Sequence, residues 1–403
     1  MGKNILVLTT LYPSQDINIS NNTNVVHYFA REWAKMGYNV HVVFNYPIYL
    51  KVLHGIAGFM KNTLASKFNT SVTATYTDKD YEYEMDGVKV IRMPLFKPFP
   101  HYKVPHKNID KQIDKIVGYC SKENFFPNAI VAHNFYPHLE MVNRLKKEYY
   151  PNAKSCVVVH KQHLKMLKYI PNYTQQIDDV DIWGFRSIPL KHEFESFAGK
   201  TKKNFICYSG VSSFFLTGKK KKIFNNPIKN IIYVGSFIKR KHADKLLIGL
   251  KKSGLKSFHL DFVGDGIMRH QLEDFVSKEK WNDKVIFHGF LPRTQIPQML
   301  DNAECFCMIS EEETFGLVYL EAMSKGLITI ASRNEGMEGI IIDGVNGFLC
   351  KAGDSNELAS ILSKIENMNA DELKQISNNA QETAYRLSDK AVADIYINSV
   401  LNS

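Results

Sequence analysis

Short apolar runs alternate with helical patterns along the chain, and that beat allows few folds other than a parallel α/β sheet. Residues 4–9 read N-I-L-V-L-T and residues 39–44 read N-V-H-V-V-F. Between them Val25, Val26, Phe29, Trp33 and Met36 recur at amphipathic-helix spacing, and Gly37 supplies a stop. Strand, helix and strand with short connections make a βαβ unit. Residues 128–132, 155–159 and 204–208 extend the series. The run 218–227, G-K-K-K-K-I-F-N-N-P, interrupts it. The beat then restarts with strands expected at 230–234, 259–263, 285–287, 305–309 and 327–331. Helices are expected over 242–250, 268–276, 293–300 and 317–324. At 403 residues one core is too small a plan. Two doubly wound domains are therefore expected, 1–217 and 218–384, with a C-terminal helix near 385–403 packing back onto the first.

Charge and composition narrow the function. The net charge of +10 admits nucleic acid, an anionic membrane surface or an anionic small substrate. No nucleic-acid motif accompanies it, so nucleic acid is not expected as a partner. The densest basic run, Lys219 to Lys222, reads as a solvated linker. Residues 46–68 combine Tyr49, Leu50, Leu53, Ile56, Phe59, Met60 and Leu64 with Lys51, Lys61 and Lys67, and hold no acidic residue. A packed helix with a solvated basic face is the commoner form of that pattern, and a segment lying on anionic lipid is the other. Residues 94–105, rich in proline and aromatics, read as a loop. No window offers the ~20 apolar residues of a membrane span, and residues 1–10 lack the h-region of a secretory leader. The six cysteines form no paired framework and read as small buried hydrophobes in a reducing compartment.

The chemistry concentrates at strand ends, where open α/β sheets bind ligands. Gly235, Gly264, His288 and Glu313 all stand there. Residues 310–326 read S-E-E-E-T-F-G-L-V-Y-L-E-A-M-S-K-G: a carboxylate-bearing turn after a buried strand, then a helix N-terminus. Such a turn makes an anion and hydroxyl site, with Glu313 and Glu321 eight positions apart across it. Lys239-Arg240-Lys241 follows the first strand of the second half, a position suited to a diphosphate. In the first half His133 and His160 close two strands, and the loop 13–24 carries Asn18, Asn21, Asn22 and Asn24 in place of glycine. Gly264-Asp265-Gly266 lacks the full dinucleotide fingerprint and reads as a tight turn. Cys305 and Cys307 share one side of a buried strand, and Asp179-Val180-Asp181 is too short a match to count as a metal motif. No metal site is expected.

Six ordered blocks between residues 231 and 348 carry a resemblance. They are Ile231-Ile232-Tyr233-Val234-Gly235 with Lys241; Phe262-Val263-Gly264-Asp265-Gly266; Val285-Ile286-Phe287-His288-Gly289; Glu313-Thr314-Phe315-Gly316; Glu321-Ala322-Met323 with Gly326; and Asp343-Gly344-Val345-Asn346-Gly347-Phe348. Together they resemble the retaining glycosyltransferase family 4, also called glycosyltransferase group 1, of the GT-B fold. The first half is more weakly similar, through strand one, Ala30-Arg31-Glu32, Gly37 with Val40, and His133.

The resemblance implies two Rossmann-like domains facing across a cleft. It implies transfer of a sugar from a nucleotide-sugar, UDP by family frequency, with retention and without metal or other cofactor. Lys241 would hold the diphosphate, Glu313 the donor-sugar hydroxyls and Glu321 the ribose. Thr314, Phe315, Gly316 and Leu317 would offer N–H groups, and His288, Phe290 and Leu291 would border the base. Gly235, Ser236, Arg240 and Gly264 complete the donor side, with His133 near the reacting sugar and Asn24 and His160 on the acceptor side. The acceptor would be a glycan or lipid-diphosphate-linked glycan of surface polysaccharide assembly, met in the cytoplasm at the inner face of the membrane. Ser236 stands where the family often has arginine, and Arg240 could supply that charge. Glu335-Gly336-Met337-Glu338-Gly339 replaces the family's Gly-Gly before Pro-Glu. The rival readings are an epimerase or hydrolase of nucleotide-sugars and a non-catalytic binding scaffold.

Overall fold

Strands covered on both faces read as unbroken apolar runs, and both sheets of this chain are built from such runs. The computed structural model describes residues 2–17, 23–54, 76–100, 102–217, 222–224 and 228–403. Two compact units divide the chain. The first holds residues 1–186, 190–207 and 392–403, and the second holds 187–189 and 208–391.

The first unit contains strands β1 (Asn4–Thr9), β2 (Asn39–Ile48), β3 (Tyr81–Met85), β4 (Val88–Phe96), β5 (Ala129–His133), β6 (Lys154–Val159), β7 (Ile182–Phe185) and β8 (Asn204–Ile206). Their order is β3-β4-β2-β1-β5-β6-β7-β8, parallel except for the β3–β4 pair. The chain winds from β1 to β2 on one side and resumes with β5 on the other, so strand order reverses beside β1. Strand β4 runs through Pro94 to Phe96, where a loop was expected. Proline is tolerated there because β3 pairs no further than Arg92, leaving β4 an open edge beyond it. Asp181 ties β6 to β7: its carboxylate accepts from Lys146 Nζ at 2.6 and 2.7 Å and from Ser155 N at 2.7 Å. Asp181 of the Asp-Val-Asp triplet is thereby accounted for by folding.

The second unit has β9 (Asn230–Val234), β10 (His259–Val263), β11 (Val285–Gly289), β12 (Cys305–Cys307), β13 (Ile328–Ser332) and β14 (Phe348–Cys350). All are parallel, in the order β11-β10-β9-β12-β13-β14. Here the reversal lies between β9 and β12, with Cys305 opposite Ile231 and Phe306 opposite Ile232.

The division falls at Cys207/Tyr208, ahead of the 217/218 boundary expected from composition. Residues 208–217 carry second-unit contacts. Val211 N donates to Leu387 O at 2.8 Å, Phe215 lies in the second apolar core, and Tyr385 OH donates to Leu216 O at 2.8 Å. The helix Asp389–Leu401 begins in the second unit, and residues 392–403 belong to the first. Within the first unit Trp33 Nε1 donates to Ala393 O at 2.8 Å, and Tyr396 packs edge-on against Phe29 and Trp33.

All six cysteines are buried thiols. Among the described residues no helix is long and apolar enough to cross a membrane. Residues 55–68 of the basic segment, the loop asparagines Asn18, Asn21 and Asn22, and Lys219 to Lys221 lie outside the described residues.

Candidate functional site

The order of the second sheet dictates what meets at its ligand edge. Loops after β9 and β12 leave adjacent strands at the point of reversal, so they face one another. Glu311 N donates to Arg240 O at 2.7 Å, stitching the two loops. Lys241, in the turn Lys239–Lys241, then donates from Nζ to Glu313 Oε2 in a largely buried ion pair. Tyr319 braces the floor: its hydroxyl donates to Met308 O at 2.9 Å and lies 2.9 Å from Ser310 Oγ. Arg240 and Ser236 stay exposed beside this pair.

The helix Leu317–Ser324 starts from Gly316, which is left-handed at φ 84°. A Cβ on Gly316 would sit 2.5 Å from the Tyr319 ring, so no other residue fits without displacing that brace. No side chain caps this helix, which leaves its first N–H groups directed at the loop space. Thr314 and Leu317 are half-buried there, and Phe315 is buried against Tyr208.

Glu321 is buried on the same helix and pairs with Arg293, whose guanidinium also lies 5.1 Å from the Phe215 ring centre. Arg293 stands on the turn that follows β11, where a helix start was expected. Burial raises the Glu321 carboxyl above its usual range, and Arg293 only partly offsets that. The sign follows from linkage: the folded state binds the proton more tightly than the unfolded state. Ionised Glu321 therefore costs stability above its folded pKa, and the cost is absent below about 4.5. Glu321→Gln should accordingly melt no lower than wild type at pH 8, with any advantage vanishing near pH 4. Thermal melts at the two pH values check this, and a clear loss at pH 8 would show that the Arg293 pair outweighs burial.

Glycines close the adjoining strand ends. Gly264 adopts φ 137°, and a Cβ there would lie 2.0 Å from the Gly235 carbonyl oxygen. Gly235 N donates to Val263 O at 2.9 Å and Gly264 N to Gly289 O at 2.8 Å. His288 is oriented by Asp261, with Nε2 2.6 Å from Oδ1, and Asp261 also stands 3.3 Å from His259 Nε2. Phe290 is 83% exposed beyond β11, while Leu291 packs against the core.

Sequence reasoning singled out Lys241, Glu313 and Glu321 but passed over Arg293 and Asp261 as site partners. Neither belongs to a motif, and only the fold brings them within reach. Glu335 was visible as a departure, without its contacts. Its carboxylate accepts from Glu312 N at 2.9 Å and Glu313 N at 2.6 Å.

In the first unit His133 closes β5 beside β1, at the reversal of that sheet. His133 Nδ1 lies 2.9 Å from His160 Nε2, and His133 Nε2 is buried with no hydrogen-bond partner. Phe29 stacks on the His133 ring at 6.1 Å, and the buried Arg186 guanidinium stands 5.7 Å from the Phe29 ring centre. Burial drives His133 well below the ordinary imidazole range and His160 down to about 3, with the Arg186 charge adding to both. Both rings are therefore neutral at pH 7. Asn24 is exposed at the start of the helix Val25–Lys35, where its carbonyl accepts from Tyr28 N at 2.9 Å. Among the described residues no three His, Cys, Asp or Glu side chains come together in a way that could hold a metal ion.

Residues 217–383 match the model of the family Glycosyl transferases group 1. The lipopolysaccharide core biosynthesis glycosyltransferase LpsD of Rhizobium meliloti is 28% identical over 167 residues, covering 41% of this chain and 48% of that protein. The N-acetyl-alpha-D-glucosaminyl L-malate synthase of Bacillus anthracis is 28% identical over 169 residues, 41% of this chain and 43% of that protein. The matched stretches thus span less than half the length of these curated relatives. Among solved structures, HepE of Anabaena in complex with UDP aligns over 100% of both chains with a TM-score of 0.68 at 16% identity. That likeness establishes the architecture, two Rossmann-like domains with parallel sheets as in GT-B proteins.

Proposed function

We propose that this chain, whose residues 217–383 match the Glycosyl transferases group 1 model, is a retaining, metal-independent glycosyltransferase. It moves a sugar from a nucleotide-sugar to a hydroxyl of a glycan or lipid-linked glycan. The observation that carries this is the convergence of Lys241, Glu313 and the uncapped helix N-terminus at the sheet reversal, with Glu321 buried one helix turn further on. UDP as the nucleotide is supported by the UDP held in the HepE structure, and a role in surface polysaccharide by the name of LpsD.

Transfer breaks the bond between the anomeric carbon and a phosphate oxygen. Positive charge grows on the sugar and negative charge on the leaving diphosphate. Lys241 and the N–H groups from Thr314 to Leu317 are fixed in advance at one pole, so they stabilise that separation without reorganising. Glu313 takes sugar hydroxyls, and Glu321 takes the ribose while Arg293 holds its other side. The acceptor hydroxyl attacks from the leaving-group face: its oxygen bonds the anomeric carbon, its proton passes to the departing phosphate oxygen, and configuration is retained. His133, which the resemblance places near the reacting sugar, is neutral and fully buried, and neither ring nitrogen is exposed to offer a sugar a hydrogen bond.

A thermal-shift screen of nucleotide sugars tests the donor reading, because a ligand that binds only the folded state raises the melting point. UDP-sugars should give the largest shift, unaltered by EDTA, and the anomeric configuration of the product should match the donor. Donor consumption without acceptor would favour an epimerase or hydrolase, and binding without turnover a scaffold. A lipid-carried acceptor would bring the protein to the inner face of the membrane. Lys51, Val52, Phe99, Tyr102 and Lys103, all exposed in the first unit, suit contact with anionic lipid. Sedimentation with anionic but not neutral vesicles is the expected result, and equal recovery with both would remove that contact.

A further inference from the structure

The turn that carries Glu313 is held by a carboxylate from a different loop. Glu311, Glu312 and Glu313 follow one another, and Glu312 lies at φ 56°, in left-handed space that a glutamate rarely adopts. Something must hold the backbone there. The Glu335 carboxylate does so with both oxygens, one on Glu312 N and one on Glu313 N. Two successive N–H groups converging on one anion form a nest, and charge-assisted bonds of this kind are stronger than neutral ones.

Glu335 is itself fixed by backbone. It follows β13, the strand next to β12, so its loop runs alongside the Glu313 turn. Gly336 lies so close that a Cβ would meet Phe315 Cα at 2.4 Å. Glu338 N donates back to Glu335 O at 2.9 Å, and the Glu338 carboxylate accepts from Asn334 N at 2.9 Å. The clamp is thus built before any ligand arrives, and the side chain that it aims is the one paired with Lys241.

We propose that Glu335 is a positioning residue for sugar transfer: by fixing the Glu312–Glu313 backbone it sets the direction of the Glu313 carboxylate, and with it the seating of the donor sugar rather than of the nucleotide. This rests on the reading of the site as a donor site. The two bonds of the clamp end on the Glu312–Glu313 backbone, whereas the Glu321 carboxylate is held by a different residue, Arg293; on this proposal sugar seating and nucleotide binding are set separately.

The test uses the full chain and Glu335→Gln. Glutamine keeps the volume, but it offers one accepting oxygen and turns an NH₂ toward the second backbone N–H. The expected result is a fall in kcat of about 10- to 100-fold, of the size that a misplaced reacting group produces. The affinity for UDP alone should change less than about twofold, and the melting point should allow assay at full folding. Should the glutamine variant fail to fold, Glu335→Asp, which keeps the charge but shortens its reach, is read in the same way. A kcat within about twofold of wild type, whatever the melting point does, would reduce Glu335 to a structural brace and overturn the proposal. Loss of UDP affinity in step with kcat would overturn it too, because the effect would then not be confined to sugar seating. Wild type that neither binds UDP nor transfers sugar would instead refute the donor reading itself, a result visible before any variant is made.

Discussion

Lys241→Ala should lower sugar transfer by about 10²- to 10³-fold while leaving the second unit folded. Among the described residues the lysine is the one cation paired with the Glu313 carboxylate, and their side chains are only 14% and 13% exposed. A cation in that setting acts through a lower effective dielectric than a surface lysine, which makes its loss expensive at the transition state. The diphosphate gains charge as the sugar leaves, so kcat should fall further than donor affinity. Arg240 lies one residue away but is exposed and held by no ion pair among the described residues, so it is a weak substitute. Glu313→Ala should show a loss of similar size. The double variant should lose less than the sum, because the two side chains already act on each other. Product formation from a labelled UDP-sugar, with melting curves as the folding control, gives the answer. Turnover like wild type in either single variant would remove Lys241 and Glu313 from the chemistry.

The second large effect is on the fold. Gly264→Ala should destabilise the second unit by about 3–5 kcal/mol, from a backbone conformation foreign to alanine and a methyl forced onto a neighbouring carbonyl. The Gly264 Cβ position lies 2.0 Å from Gly235 O, and neither strand end can yield without opening the bond from Gly235 N to Val263 O. For a unit of this size the melting point should drop by roughly 10 °C. Calorimetry on the full chain should show the drop in the transition that contains the second unit. An unshifted melt would mean that β9 and β10 part more readily than their hydrogen bonds indicate.

Much of the fold is written in local pattern. Central strands such as β1 and β9 are apolar on both faces, and the helices beside them keep their spacing, so both were readable as they stand. The four strands that were missed lie toward the edges, and β4, V-K-V-I-R-M-P-L-F, has its apolar run broken by Lys89, Arg92 and Pro94. In β3, Y-E-Y-E-M, no residue is fully buried, so no apolar run marks it. β7 is four residues long with Gly184 inside it, where a Cβ would press on Val158 at 3.0 Å. β14 has only three residues. The site divides in the same way. Glu313 and Glu321 are fixed to each other by one turn and one helix, a spacing that a chain displays directly. The reach of Arg293 to Glu321, of Asp261 to His288 and of Glu335 to two backbone N–H groups depends on which strands are neighbours, and strand order leaves no mark in local spacing. The unit division lies ahead of 217/218 for a related reason: the basic run reads as a linker, while Phe215 ahead of it packs in the second core.

The first unit is completed by residues 392–403, which surround Trp33, Phe29 and His133 with Ala393 and Tyr396. During synthesis these residues emerge only after the whole second unit. At about 5–20 residues per second the nascent first unit must wait on the order of ten seconds or more with Trp33 and Phe29 lacking their cover. The first unit, although made first, therefore cannot be completed until the last residues arrive, and the surroundings of His133 close only then.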